Sequence, residues 1–190
     1  MTGLRRGKLF ILSGPSGVGK GTLRERALND VDDLVYSISC TTRRPRPGET
    51  DGVEYRFISE PDFEQRVKGG LFLEHAHVHG ARYGTLKEDV ERELGAGRDV
   101  LLEIDVQGAR QVRKCLPEAV SIFVAPPSLE ELERRLRFRR TESDEEMARR
   151  LQTAAVELEQ EKDYDHILMN DDLDRATEAL REIILSYRRK

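Results

Sequence analysis

The sequence predicts an α/β fold in which a parallel central sheet is flanked by helices. Strand-like and helix-like segments alternate along most of the chain, which is typical of a parallel sheet with crossover helices. The apolar runs at 9–12 and 100–105 are nearly continuous, as expected of strands that are buried on both faces. A glycine-rich loop at 13–22 follows the first run and precedes a helix-like segment. These observations favour a ligand site at the carboxyl edge of the sheet.

The individual elements are predicted from periodicity and from their flanking residues. Strands are predicted at 9–12, 34–39, 53–58, 71–79, 100–105, 119–125 and 165–170. Helices are predicted at 23–28, 60–68, 86–94, 109–116, 129–140, 144–162 and 173–188. Ser128 is a suitable N-cap for the fifth helix. The segment at 39–94 is rich in strands and turns and interrupts the alternation, so we expect an inserted subdomain that holds a second substrate.

Composition narrows the class of protein. A chain of 190 residues buries roughly 70% of its unfolded surface, so one domain needs no disulfides. The formal net charge of −4 argues against a general nucleic-acid-binding protein, and any anion site must be local. Cys40 and Cys115 lie far apart and outside any CxxC motif, which predicts free thiols in the cytoplasm. The apolar run after the basic N-terminus has only four residues, so we expect neither a signal peptide nor a membrane span.

The glycine-rich loop has the spacing of a phosphate-binding loop. Gly14 is followed by four residues and then by Gly19 and Lys20, which matches the first part of the Walker A pattern. Glycines let backbone N–H groups turn toward a polyphosphate, and the helix start adds unpaired N–H groups and a positive dipole end. The lysine adds a mobile positive charge. The strict pattern has Ser or Thr directly after the lysine, whereas here Gly21 precedes Thr22. We therefore expect Thr22 near a phosphate and the metal held mostly through water.

Three further patterns each admit two interpretations. The loop at 40–49 carries three arginines and is stiffened by two prolines; it is either an anion clamp or, more commonly for such a loop, solvated surface. His75, His77 and His79 alternate on one side of a predicted strand, and an incidental histidine row is preferred over a metal site because no further ligand is evident. The arginine-rich helices at 129–140 and 144–162 are either solvated or, opposite a phosphate loop, a closing lid.

Six motifs follow one another along the chain: GPSGVGKGTL, SCTTRRPRPGETDGVEY, FLEHAHVHGARYGT, LLEIDVQG, FVAPPSLEELERRL and MNDDLD. On these motifs the chain resembles the guanylate kinases from Lys8 to Tyr187. The second motif is the most diagnostic because other P-loop kinases lack it. The resemblance implies a P-loop kinase fold that transfers the γ-phosphate of ATP to GMP, and also to dGMP, with Mg²⁺. It implies a monomer or homodimer that binds neither nucleic acid nor membrane.

The same resemblance implies a single domain over 1–190 with three parts. The core covers 8–38, 95–135 and 152–188. A GMP-binding subdomain covers 39–94, and a helical lid covers 136–151. Many relatives have glycine where this chain has Arg140, a departure that we expect to stiffen the lid or to shift Arg139 slightly.

Site residues follow from the resemblance position by position. The ATP-binding set is Gly14, Pro15, Ser16, Gly17, Val18, Gly19, Lys20, Gly21, Thr22 and Asn170. The GMP-binding set is Ser39, Arg43, Arg46, Glu49, Tyr55, Glu74, Tyr83, Thr85 and Asp105. The catalytic set is Lys20, Arg135, Arg139 and Arg150, and Mg²⁺ is expected near Thr22 and Asp105, through water.

The chemistry of guanine agrees with this assignment. Guanine presents its N1–H and exocyclic amine as donors, and an ionised Glu74 can accept from both. Adenine lacks that donor pair, so the site would reject AMP by roughly 10²–10⁴. Two alternatives stay open: a non-catalytic guanylate-kinase-like module that binds peptides, and a related kinase with another acceptor. Lys20 and the arginines argue against the first, and Glu74 with Ser39 argues against the second.

Overall fold

The computed structural model describes residues 5–78, 80–137 and 144–188. Within these ranges the strands are β1 (Leu9–Ser13), β2 (Leu34–Tyr36), β3 (Cys40–Thr41), β4 (Arg56–Phe57), β5 (Phe72–Val78), β6 (Ala81–Leu86), β7 (Asp99–Glu103), β8 (Val120–Ala125) and β9 (His166–Met169). The helices are α1 (Lys20–Asp30), α2 (Glu60–Lys68), α3 (Lys87–Gly95), α4 (Val106–Cys115), α5 (Leu129–Arg137), α6 (Asp144–Leu158) and α7 (Leu173–Arg188). A 3₁₀ turn spans Glu161–Asp163.

The described part of the chain contains a parallel sheet of five strands in the order β2-β7-β1-β8-β9. Strand β1 lies in the middle and is buried along its whole length. Phe10 and Leu12 pack into the core that includes residues of α1 and α7, whereas Leu9 and Ile11 pack into the core that includes residues of α3 and α4. The parallel sheet flanked by helices that the apolar runs predicted is therefore confirmed.

A second sheet of four strands, in the order β4-β3-β6-β5, lies within the segment predicted to interrupt the alternation. The predicted strand at 34–39 is wrong beyond Tyr36, because the chain leaves the central sheet there and joins the second sheet at Cys40. The predicted strand at 53–58 contains only Arg56–Phe57, because Gly52 donates its N–H to the Tyr55 carbonyl in a preceding turn.

Strand β6 was not predicted, because its sequence lacks the regular alternation that is typical of a strand. Gly84 interrupts the alternation of side chains that identifies a strand. The glycine is needed because a Cβ at this position would lie 2.9 Å from the Phe72 ring on β5. The predicted helix at 86–94 consequently begins one residue later, since Leu86 still belongs to β6. The predicted helix at 144–162 ends at Leu158 and is followed by the 3₁₀ turn.

Among the helices of the described ranges, none combines the length and the apolar character that crossing a bilayer requires. The predicted lid at 136–151 includes residues 138–143, which lie outside the described residues, and so does His79.

Candidate active site

A cleft of about 300 Å³ lies where the two sheets meet, at the carboxyl end of the central sheet. This volume is at the lower end of the range for small-molecule sites, roughly 300–1,000 Å³. Most of the predicted GMP-binding residues and part of the glycine-rich loop line it: Gly14, Ser16, Lys20, Ser39, Arg43, Arg46, Glu49, Tyr55, Glu74, Tyr83 and Asp105. The fold therefore brings residues from two distant parts of the chain to one cavity.

The glycine-rich loop joins β1 directly to α1. Gly14 has φ +136°, and a Cβ there would lie 2.3 Å from the Val124 carbonyl oxygen on β8, so only glycine fits. Gly19 has φ +101° and is the residue from which α1 starts. Asn170, which is buried, donates its side-chain amide to the Val18 carbonyl at 2.7 Å. The loop is thus held by β8 on one side and by Asn170 on the other.

Lys20 lies on the inner side of this loop. Its Nζ donates hydrogen bonds to the carbonyl oxygens of Gly14 at 2.6 Å and Pro15 at 2.9 Å. Burial lowers the pKa of Lys20, and the carboxylates of Glu103, Glu157 and Asp105 oppose that shift. The ammonium therefore occupies a confined position beside three acidic groups and the phosphate-binding loop.

The arginine-rich loop after β3 is organised around Glu49. Its carboxylate accepts two hydrogen bonds from the Arg43 guanidinium, at 2.8 and 2.9 Å, and a third from the backbone N–H of Arg46 at 2.7 Å. The Arg43 guanidinium also lies 5.4 Å from the centroid of the Tyr55 ring, which meets Tyr83 edge to face. Arg43 is thereby held in the cleft wall rather than extended into solvent.

Glu74 is the buried carboxyl group of the site, with 3% of its surface exposed. Its Oε1 accepts a hydrogen bond from the Thr85 hydroxyl at 2.7 Å, and Thr85 lies 3.5 Å from the Ser39 hydroxyl. Burial raises the pKa of Glu74 to about 7; the Thr85 hydrogen bond opposes this shift, and Asp105 adds to it. Residues 39, 74 and 85 come together because β5 and β6 pair antiparallel and β6 also pairs with β3.

Two carboxylates lie at the carboxyl end of β7: Glu103 is its last residue, and Asp105 follows it. Asp105 is the N-cap of α4 and accepts a hydrogen bond from the Gly108 N–H at 2.8 Å. Glu103 pairs with Arg24 of α1 at 3.0 Å and also lines the cleft. A Cβ on Gly21 would lie 3.8 Å from the Glu103 carboxylate, so the position after Lys20 faces this acidic group.

The predicted lid arginines have different surroundings. Arg135 donates to the Asn170 carbonyl at 3.0 Å and the Val18 carbonyl at 3.4 Å, so it braces the loop and is not among the described residues that line the cleft. Arg150 donates to the Ser16 hydroxyl at 2.8 Å, at the tip of the loop. Arg139 and Arg140 lie outside the described residues.

Thr22, His75 and His77 are not among the described residues that line the cleft. Thr22 is exposed on α1, so its role with Mg²⁺ stays a prediction. In the part of the chain that the structure covers, no cluster of three or more His, Cys, Asp or Glu residues is arranged to hold a metal ion. His75 is half-buried and His77 is exposed on β5.

Two acidic residues of the cleft are absent from the predicted site residues. Glu103 belongs to the acidic end of the predicted strand at 100–105, at the edge where a ligand was expected, but no role was predicted for it. Glu157 lies on α6 and has no comparable signal, because its neighbours in sequence are those of an ordinary helix. Burial raises the pKa of Glu157 to about 7, Lys20 opposes that shift, and Asp105 reinforces it.

Comparisons of this chain with protein families, with individual proteins and with solved structures all identify the same family. A sequence profile described as guanylate kinase matches residues 6–187. The guanylate kinase of Rubrobacter xylanophilus is 50% identical to this chain, over 95% of each protein. The guanylate kinase of Corynebacterium jeikeium is 46% identical, over 95% of this chain and 97% of that protein. A crystal structure of guanylate kinase from Anaplasma phagocytophilum has a TM-score of 0.82 at 33% identity, and the match covers 98% of this chain and 88% of that one.

Proposed function

The chain belongs to the guanylate kinase family, and we propose that it transfers the γ-phosphate of ATP to GMP in the cleft between its two sheets. The single observation that carries the assignment of the site is the buried Glu74 carboxyl group, which faces the same cavity as Lys20. One group selects the purine, and the other stabilises the transferred phosphate. GDP and ADP are the products.

The second sheet supplies the acceptor site. Glu74, once ionised, accepts from the N1–H and the exocyclic amine of guanine. The Thr85 hydroxyl holds one oxygen of this carboxylate at 2.7 Å and keeps its orientation. A base without that donor pair leaves the buried carboxylate unpaired, which is costly. We therefore assign the segment at 39–94 as the GMP-binding subdomain.

The arginine loop supplies the site for the acceptor phosphate. Arg43 and Arg46 present cationic donors to the cleft, beside the hydroxyls of Tyr55 and Tyr83. A guanidinium suits a phosphate dianion because its planar donors bind two oxygens at once. Glu49 holds Arg43 through two hydrogen bonds, so the clamp is ordered before the substrate arrives.

The loop between β1 and α1 supplies the donor site. Its backbone N–H groups and the start of α1 bind the phosphates of ATP, and Lys20 stabilises charge on the transferring phosphoryl group. Arg150 contacts Ser16 at the loop tip, where it is able to reach both substrates. Arg135 acts from behind the loop by bracing Val18 and Asn170. Phosphoryl transfer requires alignment and charge neutralisation, so no general base is assigned.

Mg²⁺ fits the acidic edge of this cleft. Glu103 and Asp105 offer oxygen ligands beside the loop, and Mg²⁺ usually keeps several waters while it binds one or two carboxylates and substrate phosphates. Such a site needs no complete set of protein ligands. When bound, the ion neutralises charge on the phosphates of ATP.

A panel of acceptors tests the proposal. ADP release is measured with ATP and Mg²⁺ and with GMP, dGMP, IMP or AMP as the acceptor. We expect GMP to exceed AMP in kcat/KM by roughly 10²–10⁴. Equal use of AMP and GMP would contradict the guanine site, and the absence of any ADP release would favour a non-catalytic module.

A further inference from the structure

Helix α4 of the core meets strand β5 of the second sheet directly beside Glu74. Strand β5 is at the edge of its sheet and pairs only with β6 among the described strands. Its outer side therefore needs another partner to fix its position. Helix α4 provides that partner, and Gly108 and Gln111 are the two of its residues that lie beside Glu74 and His75.

Gly108 packs against the carboxyl group of Glu74. A Cβ built on Gly108 would lie 2.4 Å from Oε2 of Glu74, 3.1 Å from its Cδ and 3.3 Å from Oδ1 of Asp105. Gly108 lies inside α4, where its φ is not in the left-handed region, so backbone conformation does not require glycine. Glycine in a helix costs about 0.5–1 kcal/mol relative to alanine. The space that the Glu74 carboxyl group occupies explains why this residue is nevertheless glycine.

Gln111 holds the backbone next to Glu74. Its Nε2 donates to the His75 carbonyl oxygen at 2.7 Å, and its Oε1 accepts from the His75 N–H at 3.2 Å. The side-chain amide thus makes the pair of hydrogen bonds that a neighbouring strand would make. Because His75 directly follows Glu74, these two hydrogen bonds fix β5 next to the residue whose side chain enters the cleft.

We propose that Gly108 and Gln111 are positioning residues that set the two oxygens of Glu74 for the donor pair of guanine, and so determine the preference for a purine with a 2-amino group. The inference rests on the proposed function and adds to it residues that need not touch the substrate. The Thr85 hydroxyl donates to Oε1 of Glu74 on one side. On the other side, Gly108 of α4 limits the space that is open to Oε2. A shift of the carboxyl group would break the paired geometry while leaving the ATP site intact.

Gly108→Ala tests the space beside Glu74. We expect the KM for GMP to rise roughly tenfold or more, as for the loss of one hydrogen bond to a charged group, while the KM for ATP changes less than about twofold. The ratio of kcat/KM for GMP to that for IMP should fall by about tenfold, because IMP lacks the 2-amino donor. Gly95→Ala is the matched control, since a Cβ there has open space on the exposed end of α3.

Gln111→Met tests the two hydrogen bonds between Gln111 and β5. It also tests the proposal if the Gly108→Ala variant does not fold. Methionine has a similar length and is tolerated at this half-buried position, but it makes neither hydrogen bond to His75. The same rise in the KM for GMP and fall in the GMP-to-IMP ratio are expected. Gln65→Met, on the exposed side of α2, is the control.

Three outcomes are distinguishable. A selective change in the KM for GMP and in the GMP-to-IMP ratio supports the proposal. Folded variants with wild-type ratios, or an equal fall in kcat for both acceptors, overturn it. A wild-type chain that does not phosphorylate GMP contradicts the proposed function itself.

Discussion

The ammonium group of Lys20 donates a 2.6 Å hydrogen bond to the carbonyl oxygen of Gly14, six residues earlier in the same loop. The lysine is therefore folded back over the backbone that is to receive the phosphates. Binding of ATP has to exchange this carbonyl for phosphate oxygens, which carry full negative charge. The exchange is favourable because a hydrogen bond to an ionised acceptor is stronger than one to a neutral carbonyl.

Replacement of Lys20 tests this exchange. We expect Lys20→Ala to lower kcat by about 10²-fold or more, because one donor to the transition state is removed from a preorganised site. Steady-state kinetics with saturating GMP measure the effect. Lys68→Ala, at an exposed position on α2, is the control. An unchanged kcat in the Lys20 variant would exclude the loop lysine from the mechanism.

Replacement of Glu74 separates the two substrate sites. In Glu74→Gln one oxygen becomes an NH₂ group, which faces a guanine donor instead of accepting from it. We expect kcat/KM for GMP to fall by about 10²-fold while the Kd for ATP changes less than about threefold. Calorimetry with ATP and kinetics with GMP give the two values, and the exposed Glu118→Gln is the control. Equal losses for both nucleotides would contradict the guanine-site assignment.

The pH dependence of GMP use follows from the same carboxyl group. Burial raises the pKa of Glu74 to about 7, so below that pH the free enzyme carries a protonated Glu74. A protonated carboxyl group cannot accept from both guanine donors, so GMP binding must release the proton. The KM for GMP should therefore rise by up to about tenfold for each pH unit below about 7. Kinetics between about pH 5.5 and 8 measure it.

The second ionisation of the GMP phosphate, with a pKa of about 6 as for other phosphate monoesters, also contributes in this range. Glu74→Gln is the appropriate comparison, because it retains the phosphate contribution and loses that of the carboxyl group. If the variant and the wild type show the same pH dependence, Glu74 does not titrate in the free enzyme as proposed.

A stability prediction concerns Asp99, at the opposite end of β7 from the cleft. This carboxylate is 1% exposed and accepts from Arg5 at 2.7 Å, from the Lys8 N–H at 2.7 Å and from Arg188 at 2.6 Å. It thus joins Arg5 and Arg188, which are far apart in sequence, to the central sheet. Asp99→Ala should lower the free energy of unfolding by about 3 kcal/mol, at the low end for a broken buried pair because the Arg5 side chain is partly exposed.

Urea denaturation measures the effect on stability. Glu178→Ala is the control, since its ion pair with Arg181 is exposed and is expected to contribute less than about 1 kcal/mol. A similar loss of unfolding free energy in the two variants would show that the hydrogen bonds of Asp99 with Arg5 and Arg188 do not stabilise the fold.

The parts of the fold that were predictable depend on local signals. The run at 9–12 is apolar because both faces of β1 are covered, and the glycines after it are spaced for a phosphate loop. Strands β3 and β6 gave no such signal. Strand β3 has two residues, and β6 contains a glycine that is explained only by the Phe72 ring on the neighbouring strand.

The same distinction applies to the site. The resemblance placed Glu74, Thr85 and Ser39 in the acceptor site, and the structure brings the three side chains together. The resemblance did not indicate Glu157, because a carboxylate on a helix looks the same in sequence whether it faces solvent or a lysine. Nor did it indicate that Gly108 leaves room for Glu74.

The sequence by itself determined the parallel α/β core, the phosphate loop and the family, because burial on both faces and the glycine spacing are properties of contiguous residues. Only the tertiary structure decided which groups of different elements meet: Glu74 lies against Gly108, and Gln111 holds the edge of β5. These contacts join residues that lie up to 36 positions apart. They depend on strand pairing and on helix placement, which hydrophobic periodicity does not encode.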